Sequence, residues 1–76
     1  MENNRWGKRI RAFRKLKRIQ QVAFAKEIGI SATTLGKIER GERVPSEELL
    51  TIIAQTLAID IKELMGEGRG NYDADN

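Results

Sequence analysis

The 76-residue sequence contains no cysteine and no histidine. Without cysteine there is no disulfide framework and no thiolate metal site, and without histidine the commonest metal ligand and general base is missing too. No metal and no cofactor is expected. No serine has a plausible base, and no glycine-rich phosphate-binding loop is present. Only scattered carboxylates remain for acid–base work, so an enzyme is not expected. Aromatics make up 5% of the chain, with a single tryptophan and a single tyrosine, too few for a stacking track along a single strand. Trp6 therefore reads as a core or edge anchor. No apolar run approaches the ~20 residues of a membrane span. The N-terminal MENNRWGKR has no apolar segment of the signal-peptide kind. A soluble, cytoplasmic protein with no membrane partner is the expectation.

What is present is organised around residues 21–40, QVAFAKEIGISATTLGKIER. Phe24, Ala25 and Ile28 form the apolar stripe of one short helix, and Leu35 and Ile38 lie on a second. Between them, Gly29 supplies the left-handed conformation that ends the first helix. Ile30 can fill the angle between the helices, and Ser31 can cap the second with its hydroxyl. Ala25 is small where the helices must cross closely. Together these residues specify a helix-turn-helix.

A chain of this length holds one domain. It buries only about 60% of its unfolded surface, so locally packed short helices or a dimer are the expected sources of stability. Residues 1–43 carry twelve Lys/Arg against four Asp/Glu, and residues 44–76 carry two against seven, which together give the net charge of +3. Such charges can simply solvate a small domain. Beside a helix-turn-helix, the basic half reads as a phosphate-facing side.

The pattern elsewhere is helical. Trp6, Ile10, Phe13 and Leu16 recur at helical spacing after a polar start, Met1–Arg5, which is expected to be disordered. Val44-Pro45-Ser46 reads as a helix start, with Ser46 as N-cap and Glu47-Glu48 in the positive first turn. Leu50, Ile53, Ala54 and Leu57 mark its inward face. A last helix starts at Asp60, which with Glu63 nearly matches a capping box. It continues through Ile61, Leu64 and Met65 and stops at Gly66. Residues 1–66 are thus read as the domain. Residues 67–76, rich in Gly, Asp and Asn and containing Tyr72, are read as a flexible acidic tail.

The chain resembles the Cro/cI-type (Xre-like) helix-turn-helix family of bacterial and phage transcription regulators. The resemblance rests on IRAFRKLK at 10–17, the Gln21…Phe24-Ala25…Gly29-Ile30-Ser31 turn, LGKIERGERVPS at 35–46 and LLTIIAQTLAIDIKEL at 49–64. It implies an all-α bundle of about five short helices, the lambda-repressor-like domain, with residues 32–40 as the recognition helix. Arg14 and Glu39 match positions that pair in the family and would tie the first helix to the recognition helix. Arg18 departs from the pattern, standing where the family commonly has Gly, so either it carries a modest strain or the turn differs.

By the same resemblance Ala32, Thr33 and Lys37 match positions that approach base edges in the major groove. Ala32 and the Thr33 methyl suit a thymine methyl, and Lys37 suits guanine O6/N7. None is a strong bidentate reader, so phosphate contacts and DNA shape are expected to carry much of the affinity. Gln20, Gln21, Thr34, Arg40 and Arg43 are the phosphate candidates, with a solvated helix start as the weaker reading of Gln20-Gln21. The first-helix cations are expected to add to them. With Leu35 and Ile38 facing the core, Ala32, Thr33, Gly36, Lys37 and Arg40 are expected to turn outward, and Gly36 either permits closer approach to the duplex or is a tolerated substitution.

Leu49 and Ile52 stand at positions polar in many family members. With Ile59 they either widen the core stripe or form a dimer face. The leading expectation is a sequence-selective, repressor-like regulator of double-stranded DNA, dimeric at least when DNA-bound. The alternative is a protein-interaction module, an antitoxin or adaptor, on the same fold. RNA binding is weaker, because A-form RNA hides the groove that this helix suits.

Overall fold

Most of the described helix ends are set by the few residues around them. In the computed structural model, which describes residues 4–66, the elements are α1 (Asn4–Leu16), α2 (Gln21–Ile28), α3 (Ala32–Glu39), α4 (Glu47–Leu57) and α5 (Ile61–Met65). No strand occurs among the described residues. Ser31 and Ser46 cap α3 and α4 by accepting the N–H of Thr34 and of Leu49. Asp60 caps α5 through the N–H of Lys62. Gly29 takes the expected left-handed conformation at φ 85°, and Gly41 and Gly66 take it at 82° and 81°. Arg18 does so as well at φ 61°, joined by Ala58 at φ 60°, which composition did not announce. Both place a Cβ where the backbone disfavours one.

The core is apolar and continuous. Ile10, Phe24, Ala25, Ile28, Leu35, Ile38, Leu50, Ile53, Ala54, Leu57 and Leu64 are buried together, with Trp6, Phe13 and Ile30 packed at its margin. α1 lies against α3 and α5, α2 against α3 and α4, and α4 against α5. The expected inward residues of α2, α3 and α4 are all buried, and α3 buries Gly36 and Glu39 besides.

Two expectations for α1 need correction. The helix begins at Asn4, so Asn4 and Arg5 do not belong to an unstructured start; residues 1–3 lie outside the described residues. Leu16 does not join the inward stripe and is 72% exposed. The buried face of α1 is Gly7, Ile10 and Arg14, at i, i+3 and i+7. Leu16, six residues beyond Ile10, stands about 120° away around the helix. Arg14 takes the inward place that an apolar residue would usually fill.

Gly7 explains how α1 comes so close to α3. A Cβ there would run into the backbone carbonyls of Ile38 and Glu39. The crossing therefore puts helix backbone against helix backbone. The acidic tail expected at 67–76, with Tyr72, lies outside the described residues.

Candidate nucleic-acid interface

The α2–α3 turn sets how α3 leaves α2. Gly29 donates its N–H to Lys26 O, and Ile30 donates to Ala25 O at 2.9 Å, closing α2. Ser31 Oγ accepts from the Thr34 N–H at 3.0 Å and donates to Thr34 Oγ1 at 2.9 Å. The Thr34 hydroxyl is thereby held beside the first turn of α3.

Burial then divides α3 into two faces. Leu35, Gly36, Ile38 and Glu39 are buried, whereas Thr33 and Lys37 are exposed four residues apart on one side. Ala32 is half-buried and packs partly on the core. The helix ends at Glu39, one residue before the expected boundary, and Arg40 is its C-cap. Gly36, expected to face outward, is buried, because its surface is covered by side chains. A Cβ at Gly36 would lie 3.1 Å from an Arg40 guanidinium nitrogen and 3.7 Å from Gln21 Nε2.

Behind α3 is a closed polar network. Arg14 Nε donates to Glu39 Oε2 at 2.7 Å, and its second terminal nitrogen donates to Glu39 Oε1 at 3.1 Å. The remaining nitrogen reaches Ile19 O at 2.9 Å. Gln21 Nε2 donates to Glu39 Oε1 at 3.1 Å. The two side chains of the pair are 8% and 2% exposed. No buried side-chain polar atom among the described residues lacks a partner. A bidentate arginine–carboxylate pair of this kind fixes orientation as well as charge. Here it joins α1, the loop before α2, the first residue of α2 and the end of α3.

Gln21 thus has a structural partner as well as a place near the surface. Gln20 is exposed and stands at the N-cap of α2 without a side-chain cap bond. Arg40 is exposed and pairs with Glu42, Nε to Oε2 at 2.9 Å and the adjacent terminal nitrogen to Oε1 at 3.4 Å. The hydrogen bond raises the Arg40 pKa and holds the Glu42 carboxyl below its ordinary range, with the opposite charges adding to both shifts. Arg43 is exposed in the following loop. An open cleft of about 480 Å³ is lined by Lys8, Arg11, Gln21, Gly36, Glu39 and Arg40. It brings cations of α1 to the same side as the end of α3.

One first-helix cation is used elsewhere. Arg9 Nε donates to Glu63 O and Leu64 O at 3.1 and 3.0 Å, and its terminal nitrogen donates to Glu63 O at 2.7 Å. It also lies over Phe13, 5.9 Å from the ring centre. Arg9 therefore satisfies the carbonyl end of α5 and is not available to a duplex in this arrangement. The 54-residue separation left no local signal of this. The proposed dimer-face residues are not equivalent either. Ile52 is 42% exposed, while Leu49 and Ile59 are half-buried and packed against the core.

No group of His, Cys, Asp or Glu among the described residues has a metal-binding arrangement. No described helix is long and apolar enough to cross a membrane. What the geometry defines is a short helix with an exposed polar face, braced from behind and flanked by cations.

The comparisons agree with that class of protein. A family model described as helix-turn-helix matches residues 10–64. The chain is 53% identical over 64 residues to the uncharacterised HTH-type transcriptional regulator YazB of Bacillus subtilis, covering 84% of this chain and 93% of YazB. The restriction-modification controller protein C.AhdI of Aeromonas hydrophila superposes with a TM-score of 0.78 at 30% identity, over 83% of this chain and 91% of that one. The P22 c2 repressor, solved in complex with a synthetic operator, superposes at 0.72 and 35% identity over 79% and 91%. This chain belongs to the Xre-like, Cro/cI-type helix-turn-helix family of DNA-binding transcription regulators.

Proposed function

We propose that the chain is a cytoplasmic regulator of repressor type that acts as a dimer on double-stranded DNA, without catalytic activity. The observation that carries this reading is the α3 face. Thr33 and Lys37 are exposed on a helix whose opposite side is buried and whose far end is anchored by Arg14–Glu39. A side chain read against base edges needs such a rigid mount, since its position sets the register of its hydrogen bonds. In this reading Ala32, Thr33 and Lys37 meet base edges in the major groove.

Phosphates flank that contact. Gln20, Gln21 and Thr34 lie at the starts of α2 and α3, where first-turn N–H groups and the helix dipole favour an anion. Arg40 and Arg43 hold the other side, with Lys8 and Arg11 from α1. Neutralising several phosphates makes binding fall steeply with salt. A single eight-residue recognition helix reads few base pairs. Two copies about one helical turn apart multiply the selectivity. Leu49, Ile52 and Ile59 are the proposed contact between them, with the exposed Ile52 at its centre. The unit that does this is residues 1–66, with 67–76 as an appended acidic tail.

Selection from a random duplex pool tests the reading. A palindromic winner that clearly outcompetes scrambled DNA at low and high salt is the expected result. Sequence-indifferent binding that vanishes with salt would overturn it. The pair of substitutions Arg40→Glu and Arg43→Glu should abolish binding to the selected duplex. Intact binding would move the interface off this face.

A further inference from the structure

The Arg40–Glu42 pair is held by the backbone as well as by the side chains. Arg40 ends α3 at φ −88° and ψ −2°, and Gly41 follows at φ 82°. The Gly41 N–H donates to Ile38 O at 3.0 Å and the Glu42 N–H donates to Lys37 O at 2.8 Å. This closure turns the chain so that residues two apart, which do not face each other on a continuous helix, come side by side. Gly36 completes the seat. A guanidinium nitrogen of Arg40 occupies space that a side chain at position 36 would crowd at 3.1 Å. Both residues are otherwise open to solvent, their side chains 59% and 53% exposed.

The edge of the guanidinium that Glu42 occupies, Nε and the adjacent terminal nitrogen, matches two oxygens of a carboxylate or a phosphate equally well. A phosphodiester and the Glu42 carboxylate are therefore rivals for one fork. The rivalry is close, because an exposed ion pair is worth little and opens readily. Its charge consequence is larger than its stability. With Glu42 in place, Arg40 presents little net positive charge to an approaching duplex.

We infer that Glu42 is a built-in competitor for the DNA phosphate that Arg40 binds, so that the carboxylate must be displaced before Arg40 engages the duplex and affinity is held below what the cations alone would give. The inference rests on the proposed DNA-binding role and adds to it a residue that sets binding strength, mainly at low salt. Phosphate and carboxylate compete most strongly when mobile ions do not screen them.

The test is a double-mutant cycle on the full chain. Wild type, Glu42→Gln, Arg40→Gln and the double variant are titrated with the selected duplex at about 50 mM and about 200 mM salt. Folding of each is checked by circular dichroism. Glu42→Gln is expected to bind about two- to five-fold tighter than wild type at the lower salt, the range that an exposed ion pair supports. The gain should shrink at the higher salt and should be at least halved in the Arg40→Gln background. An equal gain in both backgrounds would overturn the inference, because the effect would then be general repulsion of DNA by one carboxylate. Unchanged binding would overturn it as well. So would weaker binding, which would make Glu42 a group that positions Arg40. A wild-type protein that binds no duplex at all would overturn the functional reading itself, a result distinct from these three.

Discussion

Helices α1–α3 bury an arginine and a glutamate at their contact, whereas the buried residues of α4 and α5 are Leu50, Ile53, Ala54, Leu57 and Leu64. The apolar side can repack around small changes, because burial of hydrocarbon has no direction. The polar side cannot. Arg14, Glu39, Gln21 and Ile19 O meet through directional bonds between 2.7 and 3.1 Å, and moving α3 relative to α1 breaks them together. The less forgiving chemistry stands behind the helix proposed to read DNA, where position matters most. The all-apolar half bears the proposed dimer contact, whose geometry tolerates more variation.

This contrast can be broken from its polar side. Glu39→Ala leaves the Arg14 guanidinium buried without its carboxylate and should cost about 3–5 kcal/mol, enough to unfold much of so small a domain. Urea unfolding measures it. Replacing both partners with apolar residues of similar volume should recover most of the loss. A Glu39→Ala protein as stable as wild type would mean that the pair has no structural role.

Gly7→Ala comes next. The added methyl meets carbonyl oxygens of Ile38 and Glu39, so α1 must move away from α3, at a cost of about 1–3 kcal/mol. Thermal unfolding should show it, with DNA binding weakened as well because α3 loses its brace. An unshifted Tm would indicate that the two helices separate freely.

The two left-handed non-glycine residues sharpen the comparison further. Ala58→Gly and Arg18→Gly should each raise stability by about 0.5–1 kcal/mol, since glycine removes the Cβ strain but loses more chain entropy. Ala58→Gly lies on the apolar side, after α4, and should leave DNA affinity unchanged. Arg18→Gly removes a cation beside α2 and should weaken binding while stabilising the fold. Equal effects on affinity would contradict the division of labour.

Glu42→Gln should have the smallest effect on folding, with no measurable change in Tm. Its carboxyl is held below the ordinary range by Arg40. The pair's contribution is therefore present at neutral pH and is lost only as pH falls through that lowered value. Because both groups are exposed, stability should be flat with pH above the carboxylate range. A clear fall in Tm for Glu42→Gln at neutral pH would show that the loop after α3 depends on this pair.

Much of this architecture was legible because its signals are local. Ser31, Ser46 and Asp60 act within three residues of themselves, and Gly29, Gly41 and Gly66 each end a helix where the apolar spacing stops. The Arg14–Glu39 pair was legible only through the family resemblance, since 25 residues separate the partners. What could not be read depended on three-dimensional approach. Gly7 looks like a weak point in a helix until α3 lies against it. Arg9 looks like one more surface cation until α5 brings its carbonyls alongside. Leu16 fits the spacing from Phe13 but not from Ile10, and a buried ion pair took the inward position. At the candidate site, the exposure of Thr33 and Lys37 followed from periodicity, whereas the covering of Gly36 by Arg40 needed the turn at Gly41.

The most direct test of the central claim is residue-resolved. Amide chemical shifts of the protein, followed by NMR as the selected duplex is added, report which helices meet DNA. The largest changes are expected at Gln20 and Gln21, through Ala32–Lys37, and from Arg40 to Arg43, with smaller changes around Ile52 as two copies come together. Changes confined to α4 and α5, with the amides of α3 unmoved, would contradict it.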